Sequence, residues 1–381
     1  MLVGATSCAM LQVEPAASAD SAASDSEAPS GSDGTVSSPD GGDETPQPRD
    51  TVVKLNSATQ NLLRFTAREV ETQACLNCNH AGAGFEIRIR TTAEKVVIKA
   101  RASASCAFRI FVDGEAWENA DGSVYHQIRG VRDIELNGIP VGEHTIRVIR
   151  VSDDVETEAS FYNITFQGEQ LPITQSTASM LIEFVGDGIT AGAGLGTDTA
   201  DVTQAYPYLV ANALNADYAV EAFTGMGVSV GTTIPSLYGK NSYFGTGADI
   251  VVLNVGTEDF AQSVTETAFT SAYQSLLSKI KTNNGPACKI VCVSTSSNST
   301  MNGLITKICN QLGGASKGYY AKTLTPASDA PTAAQHQAYA TALAAYIESI
   351  KSDTLDVVSL KSKAQGYGFE LDFHSADWNL N

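Results

Sequence analysis

The hydrophobic pattern of this 381-residue chain changes period part-way along, and that change limits the folds open to it. From about residue 51 to 170, apolar and polar residues alternate. "GFEIRIRTT", "KVVIKARA", "AFRIFVDGE", "RDIELNG" and "HTIRVIRVS" each read as a strand with one buried face. Turn signals at Asp113-Gly114, at Asn137-Gly138 and from Pro140 to Gly142 separate them. Short strands at this spacing, without helical periodicity, predict a β-sandwich, jelly-roll-like, over residues 51–172. Beyond it the alternation stops. "MLIEFV" (180–185) is a continuous apolar run, as a parallel strand covered on both faces requires. "YAVEAF", "ADIVVLNVG", "CKIVCVS" and "LDVVSL" repeat it. Between them lie the helical stretches "DVTQAYPYLVANALNA", "TSAYQSLLSKIKTNN", "MNGLITKICNQLG" and "AAQHQAYATALAAYIESIKS". Alternating strands and helices predict a three-layer α/β/α domain with a mainly parallel sheet over residues 173–381.

Charge narrows the partners. The formal net charge is −18, which opposes nucleic acid and anionic lipid because phosphate binding needs clustered Lys and Arg. No apolar run is long enough to span a membrane. Residues 1–50 carry nine acidic groups against one basic residue, Arg49. Over 18–50 this segment is rich in Ser, Asp, Gly and Pro, and it cannot bury enough apolar surface to offset its ordering entropy. A disordered linker is expected there. "MLVGATSCAMLQVEPAASA" ahead of it resembles a signal peptide without a basic start, with Ala17-Ser18-Ala19 as the cleavage pattern. A secreted or cell-surface protein is the expectation.

Seven cysteines lie at 8, 75, 78, 106, 288, 292 and 309. Cys75, Cys78 and His80 form "CLNCNH", one ligand short of a structural zinc site. In a secreted chain a disulfide involving Cys106 is the better use. Cys288 and Cys292 share a strand face, within possible reach of Cys309. His126 and His144 sit in or beside strands and read as satisfied structural histidines. His336 falls on a polar helix face, where solvent exposure is expected.

In a parallel sheet, function gathers at the carboxyl ends of the strands. Four segments stand at or near such ends: Gly186-Asp187-Gly188-Ile189-Thr190, "FTGMG" around Gly225, "NVGTED" (254–259), and "ELDFHSADW" with Asp372 and His374. Their order and spacing resemble the SGNH, or GDSL, hydrolase superfamily. The chain from about residue 60 onward resembles carbohydrate esterase family two, the two-domain acetyl-xylan esterases. "IEFVGDGITAGAG" is similar to that family's "IEFIGDSITCGYG", and "ELDFH" to its "ADWHP". "FRIFVDGE" followed by "VGEHTIRVIRVSDD" is similar to its sandwich strands.

The resemblance implies acyl transfer from an acetylated glycan. In the family a serine after Gly-Asp is the nucleophile and a C-terminal histidine the base. The oxyanion hole takes the serine N–H, a glycine N–H and an asparagine side chain. Carried over, Gly186, Asp187, Gly225, Gly256, Thr257 and Asp259 match, as does His374 as base, with Asp372 two residues before it. Two positions depart. Gly188 holds the nucleophile position with no side chain, and Glu258 stands where the asparagine donor belongs. An ionised carboxylate only accepts hydrogen bonds and repels a developing oxyanion. A designed knockout would usually change the serine alone, so the paired departure favours natural decay or repurposing, with a knockout of an active parent as the alternative. Rewired chemistry would instead use Thr190, Thr224 or Thr257 as nucleophile, or a water activated by His374 and Glu258.

A cleft that has lost hydrolysis can still hold sugar through aromatic faces and polar edges. Tyr243, Phe244, Phe373 and Trp378 are the candidate glycan contacts, with Tyr206 and Tyr238 as further candidates for the cleft wall. The expected partner is a polysaccharide or acetylated glycan. "GAGLG" lacks the spacing of a dinucleotide-binding loop, so no cofactor is expected, and no metal.

Overall fold

The computed structural model describes residues 49–56, 64–66, 70–71, 74–153, 157–174, 178–197, 199–238 and 247–356. The N-terminal part is antiparallel. Its strands are β1 (Asp50–Lys54), β2 (Arg64–Thr66), β3 (Val70–Glu71), β4 (Leu76–Asn77), β5 (Gly84–Val112), β6 (Glu115–Ala116), β7 (His126–Asn137), β8 (Gly142–Arg150) and β9 (Ala159–Leu171). The three strand-like segments expected between 84 and 115 join into the single run β5. It stays continuous by shifting register against its partners, between Thr91 and Val96 and again between Ala102 and Cys106. Residues 84–91 pair with one edge of β8 and residues 108–112 with the other, so β5 coils round the core. Its inward residues Phe85, Ile87, Ile89, Val96, Ile98, Phe108 and Ile110 meet Phe161, Ile164 and Phe166 of β9. Phe161 stands edge-on to both Phe85 and Phe108, at 5.3 and 4.9 Å between ring centroids. The β5–β6 turn works as its sequence predicts, with positive φ at both Asp113 and Gly114.

The C-terminal part alternates strand and helix: β10 (Leu181–Asp187), α1 (Gly188–Ala191), α2 (Tyr206–Leu214), β11 (Asp217–Phe223), α3 (Ile234–Leu237), β12 (Ile250–Asn254), α4 (Thr257–Ala261), α5 (Glu266–Asn284), β13 (Lys289–Ser294), α6 (Ser299–Gln311), β14 (Tyr319–Thr323) and α7 (Ala333–Ile350). The five strands are parallel, in the order β11-β10-β12-β13-β14. Alternate side chains enter opposite cores. Ile182 and Phe184 pack towards α2 and α7, and Val185 packs with residues of α5 and α6. That division makes three layers and explains why these strands read as unbroken apolar runs. Helix starts follow their caps: Thr265 bonds the Ala268 N–H, Asn298 the Met301 N–H, and Thr332 forms a capping box with Gln335.

Several expectations change. The fifth strand of the sheet is Tyr319–Thr323, a segment the periodicity did not single out, and most of "LDVVSL" lies outside the described residues. The helix expected from Asp201 onward is split: Asp201 caps one 3-10 turn, and α2 starts at Tyr206 with Pro207 in its first turn. His336 is buried, not solvated. Its Nδ1 accepts the Tyr206 N–H at 3.1 Å, its ring stacks on Tyr206 at 6.0 Å, and burial pushes its pKa down to about 4. Among the described residues, Cys106 forms no disulfide. It is a buried thiol whose Sγ lies 3.2 Å from Ser152 Oγ, where the strand register shifts. Cys292 does meet Cys309, as buried thiols between β13 and α6. His126 bonds the Trp117 carbonyl, and His144 bridges Asp113 and the Pro140 carbonyl, so both are structural.

The two parts meet along the loop between α1 and α2. The buried carboxylate of Asp201 accepts from Tyr125 at 2.9 Å and Gln204 at 2.8 Å, with Arg109 at 3.4 Å. Arg109 also donates to Thr203 at 2.7 Å. Further along, Arg147 donates to the Tyr208 hydroxyl and Tyr218 to the Gly82 carbonyl. Among the described residues, no helix is long and apolar enough to cross a membrane.

Candidate functional site

Strand register assembles the site. β10 lies between β11 and β12, with Asp187 opposite Phe223 and Gly186 opposite Asn254. The turns that follow all three strands therefore open at one edge of the sheet, where chain connections leave β10 on both sides. This brings Gly188, Gly225 and Glu258 to neighbouring strand ends.

The first turn is a strand-to-helix switch. Asp187 Oδ1 accepts the Ile189 N–H at 3.1 Å and caps α1, with Gly188 as the first helical residue. The helix ends after four residues because Gly192 turns left-handed, at φ 80°. A Cβ at Gly192 would also lie 2.5 Å from the Asp201 carbonyl, so this glycine is required twice over. Thr190 points inward and bonds the Tyr206 hydroxyl at 2.8 Å. A Cβ at Gly186 would collide with that threonine, which explains the glycine before Asp187.

Asp187 is fully buried, and among the described residues its Oδ2 meets no well-formed hydrogen-bond partner. Burial is the chief cause of its pKa rising to about 7. The Glu258 charge adds to the rise, while the Ile189 N–H and the Thr257 side chain oppose it. Beneath the site, burial also pushes the Tyr206 phenol above its ordinary range. The Asn254 side chain at the end of β12 is buried, and among the described residues its Nδ2 likewise meets no well-formed partner.

The second and third turns are tied together by Asp259. Its buried carboxylate accepts the Val228 N–H at 2.9 Å and the Ser229 N–H at 2.8 Å, folding the loop after β11 onto α4. Gly227 is small because a Cβ there would strike that carboxylate. Gly225 is exposed and left-handed at φ 76°, with no atom of the described residues within 4 Å of where a Cβ would stand. Glu258 is half-buried in the first turn of α4, where a carboxylate suits the helix N-terminus.

Thr224 follows β11 and stands beside Gly188. It is exposed, and both its N–H and its hydroxyl bond Asp153 Oδ2, which arrives from the N-terminal sandwich. A Cβ placed on Gly188 would lie 2.8 Å from Thr224 Oγ1. Of the three threonines considered as substitute nucleophiles, Thr190 is turned into the core, Thr257 is half-buried, and Thr224 alone is exposed beside Gly188. Tyr206 and Tyr238 do not line the cleft. Both are buried, Tyr238 bonded to Glu183 within the sheet core. Asp372, Phe373, His374 and Trp378 lie outside the described residues, as do Tyr243 and Phe244.

An antiparallel sandwich joined to a five-stranded parallel α/β sheet, with a Gly-Asp turn at a central strand end, defines the scaffold of an SGNH-type hydrolase. The chain belongs to the GDSL-like lipase/acylhydrolase family, whose model matches residues 184–375. It is 23% identical over 244 residues to the acetylxylan esterase/glucomannan deacetylase of Cellvibrio japonicus, covering 54% of this chain and 66% of that protein. It is 25% identical over 244 residues to the cellulase/esterase CelE of Acetivibrio thermocellus, covering 57% of this chain and 29% of that protein. The chain thus spans less than two thirds of each relative's length. In fold it is similar to a family two carbohydrate esterase from Clostridium thermocellum solved with cellohexaose. The TM-score is 0.66 at 21% identity, over 75% of this chain and 98% of that one. It is similar also to the family two carbohydrate esterase of Cellvibrio japonicus, with a TM-score of 0.67 at 18% identity over 80% and 98%.

Proposed function

We propose that this protein is a carbohydrate-esterase scaffold that binds polysaccharide, acetylated or plain, outside the cell, and no longer hydrolyses esters by the serine route. One observation carries the reading. Gly188, the position that the family resemblance assigns to the nucleophile, has no side chain, and the hydroxyl of Thr224 crowds the space a side chain would enter. Glu258 supports it. A carboxylate at the oxyanion position accepts hydrogen bonds and cannot donate them while ionised, and loss of one oxyanion donor costs about 10²- to 10³-fold in rate. The same acceptor suits the hydroxyl groups of an unesterified sugar. A related structure from this fold group was solved with cellohexaose, which agrees with glycan occupancy of such a cleft.

The deciding assay pairs acetyl-ester hydrolysis with glycan binding. The expected result is negligible release of acetate from acetyl-xylan, with measurable retention on acetylated or plain glucan and xylan. Robust deacetylation that disappears in His374→Ala would overturn the reading.

One observation supports a second reading, an active polysaccharide O-deacetylase with altered chemistry. Thr224 already donates its hydroxyl proton to Asp153 beside Gly188. Under that reading, hydrolysis is present in the parent and lost in Thr224→Ala.

A further inference from the structure

The backbone at Gly188 does not require glycine. Its φ lies outside the left-handed region, and it is the first residue of α1. At such a position alanine ordinarily stabilises, because it restricts the unfolded chain without straining the folded one. The obstacle lies across the turn. A Cβ at 188 would meet Thr224 Oγ1 at 2.8 Å, Ala193 Cβ at 3.2 Å and Thr224 Cα at 3.3 Å. The two carbon contacts need small adjustments. The hydroxyl must move away.

A threonine held only by its own rotamer preference would turn about χ1 and yield. This one is anchored. Asp153 Oδ2 accepts the Thr224 N–H at 2.9 Å and the Thr224 hydroxyl as well, so rotation breaks a charge-assisted hydrogen bond. Asp153 lies three residues past the end of β8, whereas Thr224 directly follows β11. The grip therefore spans the two parts of the protein. A second contact supports it at the same strand end: the His80 ring of the sandwich packs on Phe223 at 5.8 Å.

We propose that Asp153 and Thr224 form a latch, delivered by the N-terminal sandwich, that closes the space over residue 188. The nucleophile position is then shut by the neighbouring turn as well as emptied, and the sandwich acts as a positioning element for the catalytic turn. This rests on Gly188 being the vacated nucleophile position, but its test reads stability and is independent of hydrolysis or glycan binding.

The test is a thermodynamic cycle on the full chain, with Gly188→Ala made in the parent, in Thr224→Ala and in Asp153→Ala. Gly188→Ala adds only the Cβ. The contacts to Ala193 and to the Thr224 Cα are the same in every background, so the cycle isolates the hydroxyl and its anchor. In the parent, Gly188→Ala is expected to lower the melting temperature by several degrees. In Thr224→Ala most of that loss disappears. In Asp153→Ala it shrinks, because the released hydroxyl can swing aside. An equal loss in all three backgrounds, or a gain in the parent, overturns the latch. If Gly188→Ala fails to fold in the parent but folds in Thr224→Ala, the coupling is shown in its strongest form. Failure to fold in both overturns it. A latch confirmed in a chain that hydrolyses acetyl-xylan would separate this inference from the functional reading above.

Discussion

Asp187 and Glu258 bring two carboxylates to the ends of adjacent strands, and the charge of Glu258 adds to burial in lifting Asp187 to about 7. A carboxyl whose folded pKa exceeds its unfolded value holds an extra proton in the folded state. Here the window runs from about pH 4 to pH 7, and stability falls as pH rises across it. Asp187→Asn keeps a capping side chain and removes the titration. The variant should gain on the parent as pH rises from 4 to 7, with a slope approaching about 1.4 kcal/mol per pH unit, and the difference should level off above that. Denaturant unfolding of both proteins at several pH values measures it. Parallel curves would mean that Asp187 titrates as an ordinary carboxylate.

The junction between the two parts depends on Asp201. Its removal leaves Arg109, Tyr125 and Gln204 facing a void where a buried carboxylate had been. Asp201→Ala should cost about 3–5 kcal/mol. Asp201→Asn should cost less, because an acceptor oxygen remains. Calorimetry of the two variants gives the order, and an equal loss would rule out the charge as the main contribution.

Asp259 holds the loop after β11 through the Val228 and Ser229 N–H groups. Hydrogen bonds to a charged acceptor contribute roughly 1.5–3 kcal/mol each. Asp259→Ala should therefore speed hydrogen exchange at those two amides selectively, with the amides of β12 and β13 unchanged. Uniform acceleration would indicate global destabilisation instead.

Two glycines in one turn make a matched pair. Gly192 and Gly194 both have φ near 80°, at 80° and 75°, yet a Cβ would meet the Asp201 carbonyl only at Gly192. Gly194→Ala should cost about 1–2 kcal/mol from the left-handed conformation alone. Gly192→Ala should cost clearly more, read as the difference in melting temperature between the variants.

Much of the architecture was legible because side-chain period reports burial. The alternation in "GFEIRIRTT" and the unbroken run in "LIEFV" state how many faces each strand buries, and they separated sandwich from parallel sheet. Two segments carry weak local signals. Tyr319–Thr323 has no long apolar run because only Tyr320 within it is buried, and His336 sits among small and polar neighbours in sequence yet packs beneath Tyr206. The pattern "GDG" with Glu258 marked the turn and the two positions that depart from the family resemblance, because motif order survives in the linear chain.

From the sequence alone came the two-part fold, the strand ends to search, and the glycine at position 188. Only the tertiary structure placed Asp153 on Thr224, since 71 residues and a change of fold unit separate them and no local pattern links the two. It also decided that Asp187 is buried enough to carry a proton near neutrality, and that Thr190 faces the core while Thr224 faces the site. Period and motif are properties of neighbours along the chain. The desolvation of a carboxylate and the grip on a hydroxyl depend on which distant segments packing brings together.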